Sequence, residues 1–292
     1  MTRIAWRVRN RALTLDRPLV MGILNVTPDS FSDGGRFFSP EDAVAHARKL
    51  AAEGADIIDI GGESTRPQGA IAVSEEEEKR RVVPVIAAVA RALPQVAISV
   101  DTVKSSVAAA ALDAGAHIVN DVSAFRLDPH IGEICAEAAA GVVLMHSRGS
   151  VSEMGTYLHA SYDDVTQDVF SELRERVTMA RHAGVAAESI AVDPGIGFAK
   201  RGEHSLAMLG ALPELAAWGY PVVVGISRKR FVGELARVQG TAERLYGSIG
   251  ANVAALDRGA RVFRVHDVGP HRQALDVAWA IARRNAANEV RA

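Results

Sequence analysis

The stretch "PLVMGILNV", residues 18–26, is an apolar run that leads to the polar Asn25. Strands that are apolar on both faces are typical of a parallel sheet covered by helices. Similar short runs recur along the chain, in the order "ADIIDIGG", "VAISVD", "AHIVND", "GVVLMH", "SIAVDPG", "PVVVGIS" and "ARVFRVH". The sequence therefore predicts eight parallel strands.

Segments with helical spacing lie between the runs and after the last one. The clearest are Pro40–Glu53, Ser74–Leu93, Asp163–Ala183 and Pro270–Arg284. Eight strand–helix units in 292 residues predict an α/β fold, a closed (β/α)8 TIM barrel, as a single domain over residues 1–292. The segment "RIAWRVRNRALTL" is predicted to add a short N-terminal hairpin. A doubly wound open sheet is the alternative that the same pattern allows.

The composition limits the classes of function. The formal net charge is -2 with both signs mixed along the chain, so nothing indicates a nucleic-acid or membrane-surface partner. The N-terminal stretch alternates apolar residues with arginine, and no later run approaches transmembrane length. The single cysteine, Cys135, excludes an internal disulfide framework. We expect a cytoplasmic protein that acts on small molecules.

Polar residues mark the carboxyl ends of the predicted strands. In chain order they are Asn25, Glu63, Asp101, Asn120, His146, Asp193, Ser227 and His266. In a (β/α)8 barrel these ends converge on the face that holds the active site. The plainer interpretation is that strands end where the chain meets water, but it explains less well why carboxylates and amides follow almost purely aliphatic strands.

Three predicted strand–helix connections are long, residues 26–39, 63–73 and 147–161, which is typical of lids and binding loops. Phe31 stands alone among polar residues in the first, so it either tucks under the loop or meets a ligand. No HExxH, paired cysteines, nucleophile elbow or Walker loop occurs. The run "SEEEEKRR" is interpreted as a capped, solvated helix face.

Two clusters of candidate site residues follow from the strand ends. Arg264 and His266 are two residues apart on the last strand, so they share one side and predict an anion site suited to phosphate. The alternative is an arginine paired with a carboxylate of a neighbouring strand. Asp101, Asn120 and Asp193, with Lys229 nearby, predict a site for the donor and acceptor edge of a flat heterocycle. Their alternative is a buried ion-pair network that plugs the barrel.

Eight motifs, taken together, resemble the dihydropteroate synthase family of the folate pathway. In order they are "NVTPDSFSDGG", "IGGESTRP", "SVDT", "NDVS", "LMHSRG", "DPGIGFAK", "SRKRFVG" and "RVHDV". The resemblance extends from Val20 to about Ala282. It implies a (β/α)8 barrel that joins hydroxymethyl-dihydropterin pyrophosphate to p-aminobenzoate and releases pyrophosphate, with Mg2+ as cofactor. It also implies inhibition by sulfonamides and a homodimer, to which Glu243–Leu256 and Ala274–Arg283 are candidate faces.

The resemblance assigns roles to individual residues. It implies a pterin site at Asp101, Asn120, Met145, Asp193, Phe198 and Lys229. It implies a pyrophosphate site at Asn25, Arg66, Arg264 and His266, with Asn25 as the Mg2+ ligand. It implies a p-aminobenzoate site at Phe31, Thr65, Pro67, Phe198 and Lys229. The residues expected to serve catalysis are Asn25, Asp33, Arg66, Lys229, Arg264 and His266, with Asp33 ordering the first loop.

Two positions depart from the pattern of the family, and both concern the aminobenzoate pocket. Gln68 lengthens the second loop by one residue, and Arg230 stands where some relatives have a serine that helps hold the substrate carboxylate. Two alternatives to a synthase are a pterin-binding barrel of the methyltetrahydrofolate methyltransferase type and a catalytically silent paralogue. The first does not explain the cations at Arg66, Arg264 and His266, and the intact loop residues argue against the second.

Overall fold

The computed structural model describes residues 5–27, 40–63 and 73–289. Within these ranges, eight parallel strands occur: β3 (Leu19–Asn25), β4 (Ile57–Gly61), β5 (Ala97–Asp101), β6 (Ile118–Asp121), β7 (Gly141–Met145), β8 (Ile190–Asp193), β9 (Val223–Val224) and β10 (Val262–Val265). They form one sheet in the order β8-β7-β6-β5-β4-β3-β10-β9, and a parallel bridge between Val192 and Val222 joins its two edges. The predicted barrel is confirmed, and the open sheet is not observed.

Helices cover the outside of the sheet between successive strands. They are α1 (Pro40–Ala52), α2 (Glu75–Ala92), α3 (Ser105–Asp113), α4 (His130–Glu137), α5 (Val151–Met154), α6 (Val165–His182), α7 (Gly202–Gly210), α8 (Leu212–Ala216), α9 (Arg230–Ala236), α10 (Leu245–Asp257) and α11 (Val268–Glu289). The four helical segments predicted from spacing match α1, α2, α6 and α11 to within a few residues at most of their ends. The lone cysteine, Cys135, is buried in α4. None of the helices within the described ranges combines the length and the apolar composition needed to cross a membrane.

The period of two along each strand separates an outer core from the barrel interior. In β4, Ile58 and Ile60 belong to the large core under the helices, whereas Ile57 belongs to the cluster inside the barrel. Asp59 and Gly61 therefore share the inward side with Ile57. The same alternation applies to β10, where Phe263 and Val265 belong to the outer core.

The amino-terminal ends of the strands form an apolar layer, here called the floor, inside the barrel. Its members are Leu19, Met21, Ile57, Ala97, Ile118, Val143, Ala191, Val223 and Val262. The predicted N-terminal hairpin, β1 (Ala5–Val8) paired antiparallel with β2 (Arg11–Thr14), closes this end. Trp6 and Val8 are fully buried against the floor, and Trp6 Nε1 donates to the Ser189 carbonyl over 2.9 Å.

The charged start of α2 has the predicted Ser74 cap, and its charged side chains form the predicted solvated face with one exception. Ser74 Oγ accepts the Glu77 amide over 3.3 Å, and Lys79 pairs with Glu76 at 2.8 Å on the helix surface. Glu78 is the exception to the solvated face, because it is fully buried and pairs with Lys104 at 2.5 Å. Burial raises the pKa of Glu78, and Lys104 opposes that rise.

Candidate active site

A cavity of about 70 Å3 opens at the carboxyl ends of the strands. Nine residues predicted from the sequence line it: Asp101, Asn120, Met145, Asp193, Phe198, Ser227, Lys229, Arg264 and His266. The remaining lining residues are Ile23, Val122 and Gly225. The predicted residues Phe31, Asp33, Thr65, Arg66, Pro67 and Gln68 lie outside the described ranges. The structure thus brings together side chains from five predicted strand ends that are up to 165 positions apart in the chain.

Arg264 lies at the centre of a buried ion-pair network. Its Nε donates to Asp59 over 2.6 Å, and its Nη2 donates to Asp101 over 2.7 Å. Asn120 Nδ2 donates to the same oxygen of Asp59 over 3.1 Å. Burial opposes the charge of Arg264, but Asp59 and Asp101 raise its pKa above the usual range. The carboxylate pairing that the sequence left as an alternative is therefore present, and a guanidinium with five donors still has N–H groups to offer an anion.

Asp59 is a member of this network that the sequence analysis does not identify. It is fully buried in the middle of β4, and its Oδ1 has no hydrogen-bond partner among the described residues. Because Asp59 lies in the middle of its strand, a prediction based on polar residues at strand ends does not include it. The signal that finds it is the inward alternation of Ile57, Asp59 and Gly61, because a carboxylate inside a barrel requires a partner.

Asp193 ends β8 and is held by the turn that follows it. Its Oδ1 accepts the Gly195 amide over 2.7 Å. Gly195 has φ +69°, and a Cβ at this position would lie 1.9 Å from the His146 carbonyl oxygen, so the turn requires glycine. Burial raises the pKa of Asp193, and the Gly195 amide and Lys229 oppose that rise. The second carboxylate oxygen is the natural acceptor for a ligand N–H group.

Lys229 forms another wall of the cavity. Its ammonium donates to the Ile196 carbonyl and lies 4.1 Å from the centroid of the Phe198 ring, a cation–π contact. A Cβ at Gly197 would lie 2.8 Å from Lys229 Cδ, so the glycine lets the two segments approach. Burial lowers the pKa of Lys229 to about 7, and Asp193 opposes this shift.

The loops after β9 and β10 are joined at two points. Ser227 Oγ accepts the His266 amide over 3.2 Å and lies 3.1 Å from His266 Nδ1. The Ser227 hydroxyl therefore contacts both the backbone and the imidazole of His266. Beside this contact, Arg228 pairs with both oxygens of Asp267, at 2.9 and 2.5 Å.

Three predicted strand-end residues, Asn25, Glu63 and His146, do not line the cavity. Glu63 accepts from Lys104 over 2.8 Å and from the Val73 amide over 2.7 Å, so it joins the residues on either side of 64–72. His146 is buried, and its Nε2 lies 3.0 Å from Glu172. The side chains of Glu63 and His146 thus hold neighbouring segments in place.

Asn25, the predicted magnesium ligand, ends β3 beside Gly61. A Cβ at Gly61 would lie 3.8 Å from Asn25 Oδ1 and 3.8 Å from Asp101 Oδ2, so both oxygens face the space that the glycine leaves. The described part of the chain contains no cluster of three His, Cys, Asp or Glu side chains suited to a metal. Since Mg2+ often takes one or two protein oxygens together with phosphate and water, these residues fit a metal whose coordination a phosphate completes.

Comparison with known proteins agrees with this geometry. Residues 21–266 match the family described as pterin binding enzyme. The chain is 44% identical over 267 residues to dihydropteroate synthase of Synechocystis sp., which covers 91% of each protein. The chain belongs to the dihydropteroate synthase family. It is also 45% identical over 279 residues to the mitochondrial folate synthesis bifunctional protein of Pisum sativum, covering 91% of this chain and 54% of that protein.

Solved structures of dihydropteroate synthases share the whole fold. The Xanthomonas albilineans enzyme with 4-aminobenzoic acid has a TM-score of 0.89 and 46% identity, over 96% of this chain and 99% of that one. The Yersinia pestis enzyme with a sulfonamide drug complex has a TM-score of 0.88 and 41% identity, over 96% and 99%. The family predicted from the eight motifs is confirmed, and with it a transferase on a TIM barrel.

Proposed function

We propose that the chain condenses hydroxymethyl-dihydropterin pyrophosphate with p-aminobenzoate, forming dihydropteroate and releasing pyrophosphate. The observation that carries the proposal is a single cavity in which acceptors, donors and cations meet. Asp101, Asn120 and Asp193 line it together with Lys229, and Arg264 and His266 line the same cavity. A flat polar heterocycle that bears an anionic group requires this combination.

The pterin ring is assigned to the part of the cavity between Asp193 and Phe198. The Asp193 carboxylate, fixed by the Gly195 amide, would accept from the amino and ring N–H groups of the pterin. The protonated Lys229 would donate to a ring acceptor, and Met145 and Phe198 would form apolar walls. Asn120 and Asp101 are oriented by Asp59 and Arg264, so the network that fills the barrel also sets the geometry of the site.

The pyrophosphate is assigned to Asn25, Arg264 and His266, with Arg66 as a further cation. His266 would donate to a phosphate oxygen from a ring N–H, and Arg264 has donors beyond its two carboxylate bonds. As the bond between the methylene carbon and the pyrophosphate oxygen breaks, negative charge grows on the leaving group, where these donors stabilise it. The arylamine nitrogen then bonds to the carbon and loses a proton to water.

Magnesium fits the same corner. Asn25 would supply a protein ligand, and bound Mg2+ would neutralise charge on the leaving pyrophosphate. Asn25 and Asp101 share the open space at Gly61, so Asn25→Ala is expected to weaken pyrophosphate binding more than pterin binding.

The p-aminobenzoate is assigned to Phe198 and Lys229, together with Phe31, Thr65 and Pro67. We propose that sulfonamides compete for this pocket, as the name of the Yersinia pestis complex suggests for that enzyme. Arg230 follows Lys229 and donates to the Tyr157 hydroxyl over 3.0 Å, with its guanidinium 4.0 Å from the ring centroid. An arginine held in this way favours a full carboxylate over a weaker anion.

A homodimer and a cytoplasmic location are also proposed. Large apolar side chains stay exposed on the two predicted faces, Tyr246 at 84% on α10 and Val277 and Ile281 at 62% and 60% on α11. Such residues are typical of a surface that another protein covers. Sedimentation equilibrium measures the assembly state, and a monomer at micromolar concentration would contradict the dimer.

The experiment that tests the proposed function is an assay of pyrophosphate release. Release is expected only when both substrates are present, and the organic product is expected to have the mass of dihydropteroate. Release with the pterin substrate alone would indicate a hydrolase. Tight pterin binding without release would favour the silent paralogue, and methyl transfer from a methylated pterin would favour the methyltransferase.

A further inference from the structure

Lys200 is a buried cation that the proposed reaction does not use. It follows the turn after β8 and is 1% exposed. Its Nζ lies 2.8 Å from His146 Nδ1 and 3.1 Å from the Phe198 carbonyl oxygen. Neither partner is a carboxylate. Burying an ammonium costs desolvation free energy unless neighbouring groups stabilise the charge. The burial of Lys200 therefore calls for a reason beyond packing.

One partner of Lys200 leads to the protein surface. An ammonium can only donate, so it requires His146 Nδ1 to accept, which places the ring hydrogen on Nε2. That hydrogen points to Glu172, 3.0 Å away, and Glu172 is also bound by Arg148. Burial lowers the pKa of His146 to about 4, with Lys200 acting in the same direction, so the ring is neutral. The Lys200 ammonium thus donates to His146 Nδ1, a neutral acceptor whose orientation is fixed by Glu172.

The other partner leads to the cavity. Phe198 lines it and faces Lys229, and its carbonyl is bound by Lys200. The turn lies close against Lys200, because a Cβ at Gly195 would be 3.3 Å from its Nζ. Asp193 holds the start of this turn through the Gly195 amide. The turn is therefore fixed at its start by a carboxylate and near its end by an ammonium.

We propose that Lys200 is a positioning residue for the substrate site: it ties the Phe198 carbonyl to the imidazole of His146 and so fixes the Phe198 wall beside Asp193. The inference rests on the proposed function in naming the pterin as the ligand that this wall contacts. Burial lowers the pKa of Lys200 to about 7, with Asp193 opposing, which agrees with a charge kept at some cost to stability.

The test compares Lys200→Met with the parent. Methionine keeps most of the length and removes the charge and the donors. Calorimetric titration with hydroxymethyl-dihydropterin pyrophosphate is expected to show about tenfold weaker binding, the size of effect typical of one charged hydrogen bond. Lys79→Met on the surface of α2 is the matched control and is expected to bind like the parent. Lys200→Gln, which keeps a donor, is the second variant and is expected to lose less affinity.

Two readouts separate positioning from general damage to the fold. Nitrogen-15 NMR of labelled histidine is expected to show His146 protonated on Nε2 in the parent and a changed tautomer or raised pKa in Lys200→Met. In a double-mutant cycle, Lys200→Met is expected to cost much less affinity in a Phe198→Ala background, because the effect passes through that ring.

The outcomes are distinct. Unchanged pterin affinity in a folded Lys200→Met protein, or fully additive effects with Phe198→Ala, would overturn the inference. If the parent does not bind the pterin substrate, the proposed function fails, and the histidine spectrum still decides the inference. An unchanged His146 tautomer and pKa in Lys200→Met would then overturn it, and a changed one would support the tie between Lys200 and His146.

Discussion

The two ends of the barrel interior are built by the same strands, but their side chains differ in chemical character and in role. At the floor, apolar residues such as Met21 and Ile57 pack against Trp6 without charge. At the mouth, defined by the residues that line the cavity together with Asp59, carboxylates and cations are buried and several have shifted pKa values. The floor stabilises the barrel, whereas the mouth keeps costly groups in position for a ligand.

The strand register shows how close the two ends are. Met21 pairs with Ile57 at the floor, and only two residues later Ile23 pairs with Asp59 at the base of the mouth. Changes at the floor should therefore affect the free energy of unfolding, and changes at the mouth should affect binding and turnover first.

The largest effect is expected at Arg264. Arg264→Met removes the cation that holds Asp59 and Asp101 and a donor to the leaving group, so turnover should fall by about 100- to 1000-fold. Because two buried carboxylates lose their partner, unfolding should also become easier by about 3–5 kcal/mol. Steady-state kinetics and urea unfolding measure the two effects. Turnover within a few-fold of the parent would place Arg264 in a purely structural role.

Trp6→Ala should produce the opposite profile. Trp6 is fully buried at the floor, so its truncation should cost about 3–5 kcal/mol of unfolding free energy. The kinetic constants of the protein that remains folded should stay close to those of the parent. Urea unfolding and kinetics below the transition provide the test, and a pterin KM that rises in step with the loss of stability would break the separation.

The free energy of unfolding and the affinity for pterin should also depend on pH in opposite directions. Burial lowers the pKa of Lys200 and of Lys229 to about 7 in the folded protein, against about 10.4 in the unfolded chain. Between these values the unfolded chain binds more protons, so the lysine contribution to stability rises with pH across this window. Pterin affinity should fall over the same window, by about tenfold per pH unit above about 7, because Lys229 loses the proton that it donates.

Lys229→Met is the control for this pH effect. It should bind pterin weakly and lose most of the decline above neutral pH, with only the smaller effect of Lys200 deprotonation left, while the rise in stability due to Lys200 remains. Calorimetric titrations and urea unfolding at matched pH values distinguish the two. An affinity of the parent that stays flat from neutral to alkaline pH would show that Lys229 does not donate to the ligand.

Much of the fold follows from the sequence because it depends on local pattern. Apolar runs and helical spacing predicted the strands and the main helices, and the alternation along "VFRVH" placed Arg264 and His266 on one side. Asn25, Asp101 and Asp193 do end their strands. These features depend on the period of the chain and on the convergence of strand ends in a barrel.

The partners inside the barrel did not follow from the sequence. Asp59 lies in mid-strand, and its bonds to Asn120 and Arg264 join positions up to 205 residues apart. Lys200 ends a glycine-rich loop, where a lysine would ordinarily face water, yet it is 1% exposed and its Nζ lies 2.8 Å from His146 Nδ1. The roles of Phe31, Thr65 and Arg66 stay predictions, since these residues lie outside the described ranges.

The central claim, that the mouth binds pterin independently of the floor, is tested most directly by titrating hydroxymethyl-dihydropterin pyrophosphate into the parent and into Asp193→Asn. The substitution replaces an acceptor oxygen by a donor at nearly the same volume, so affinity should fall by about 100-fold. The free energy of unfolding should change by no more than about 1 kcal/mol, since Oδ1 can still accept the Gly195 amide. Unchanged affinity, or a loss explained entirely by unfolding, would contradict the account.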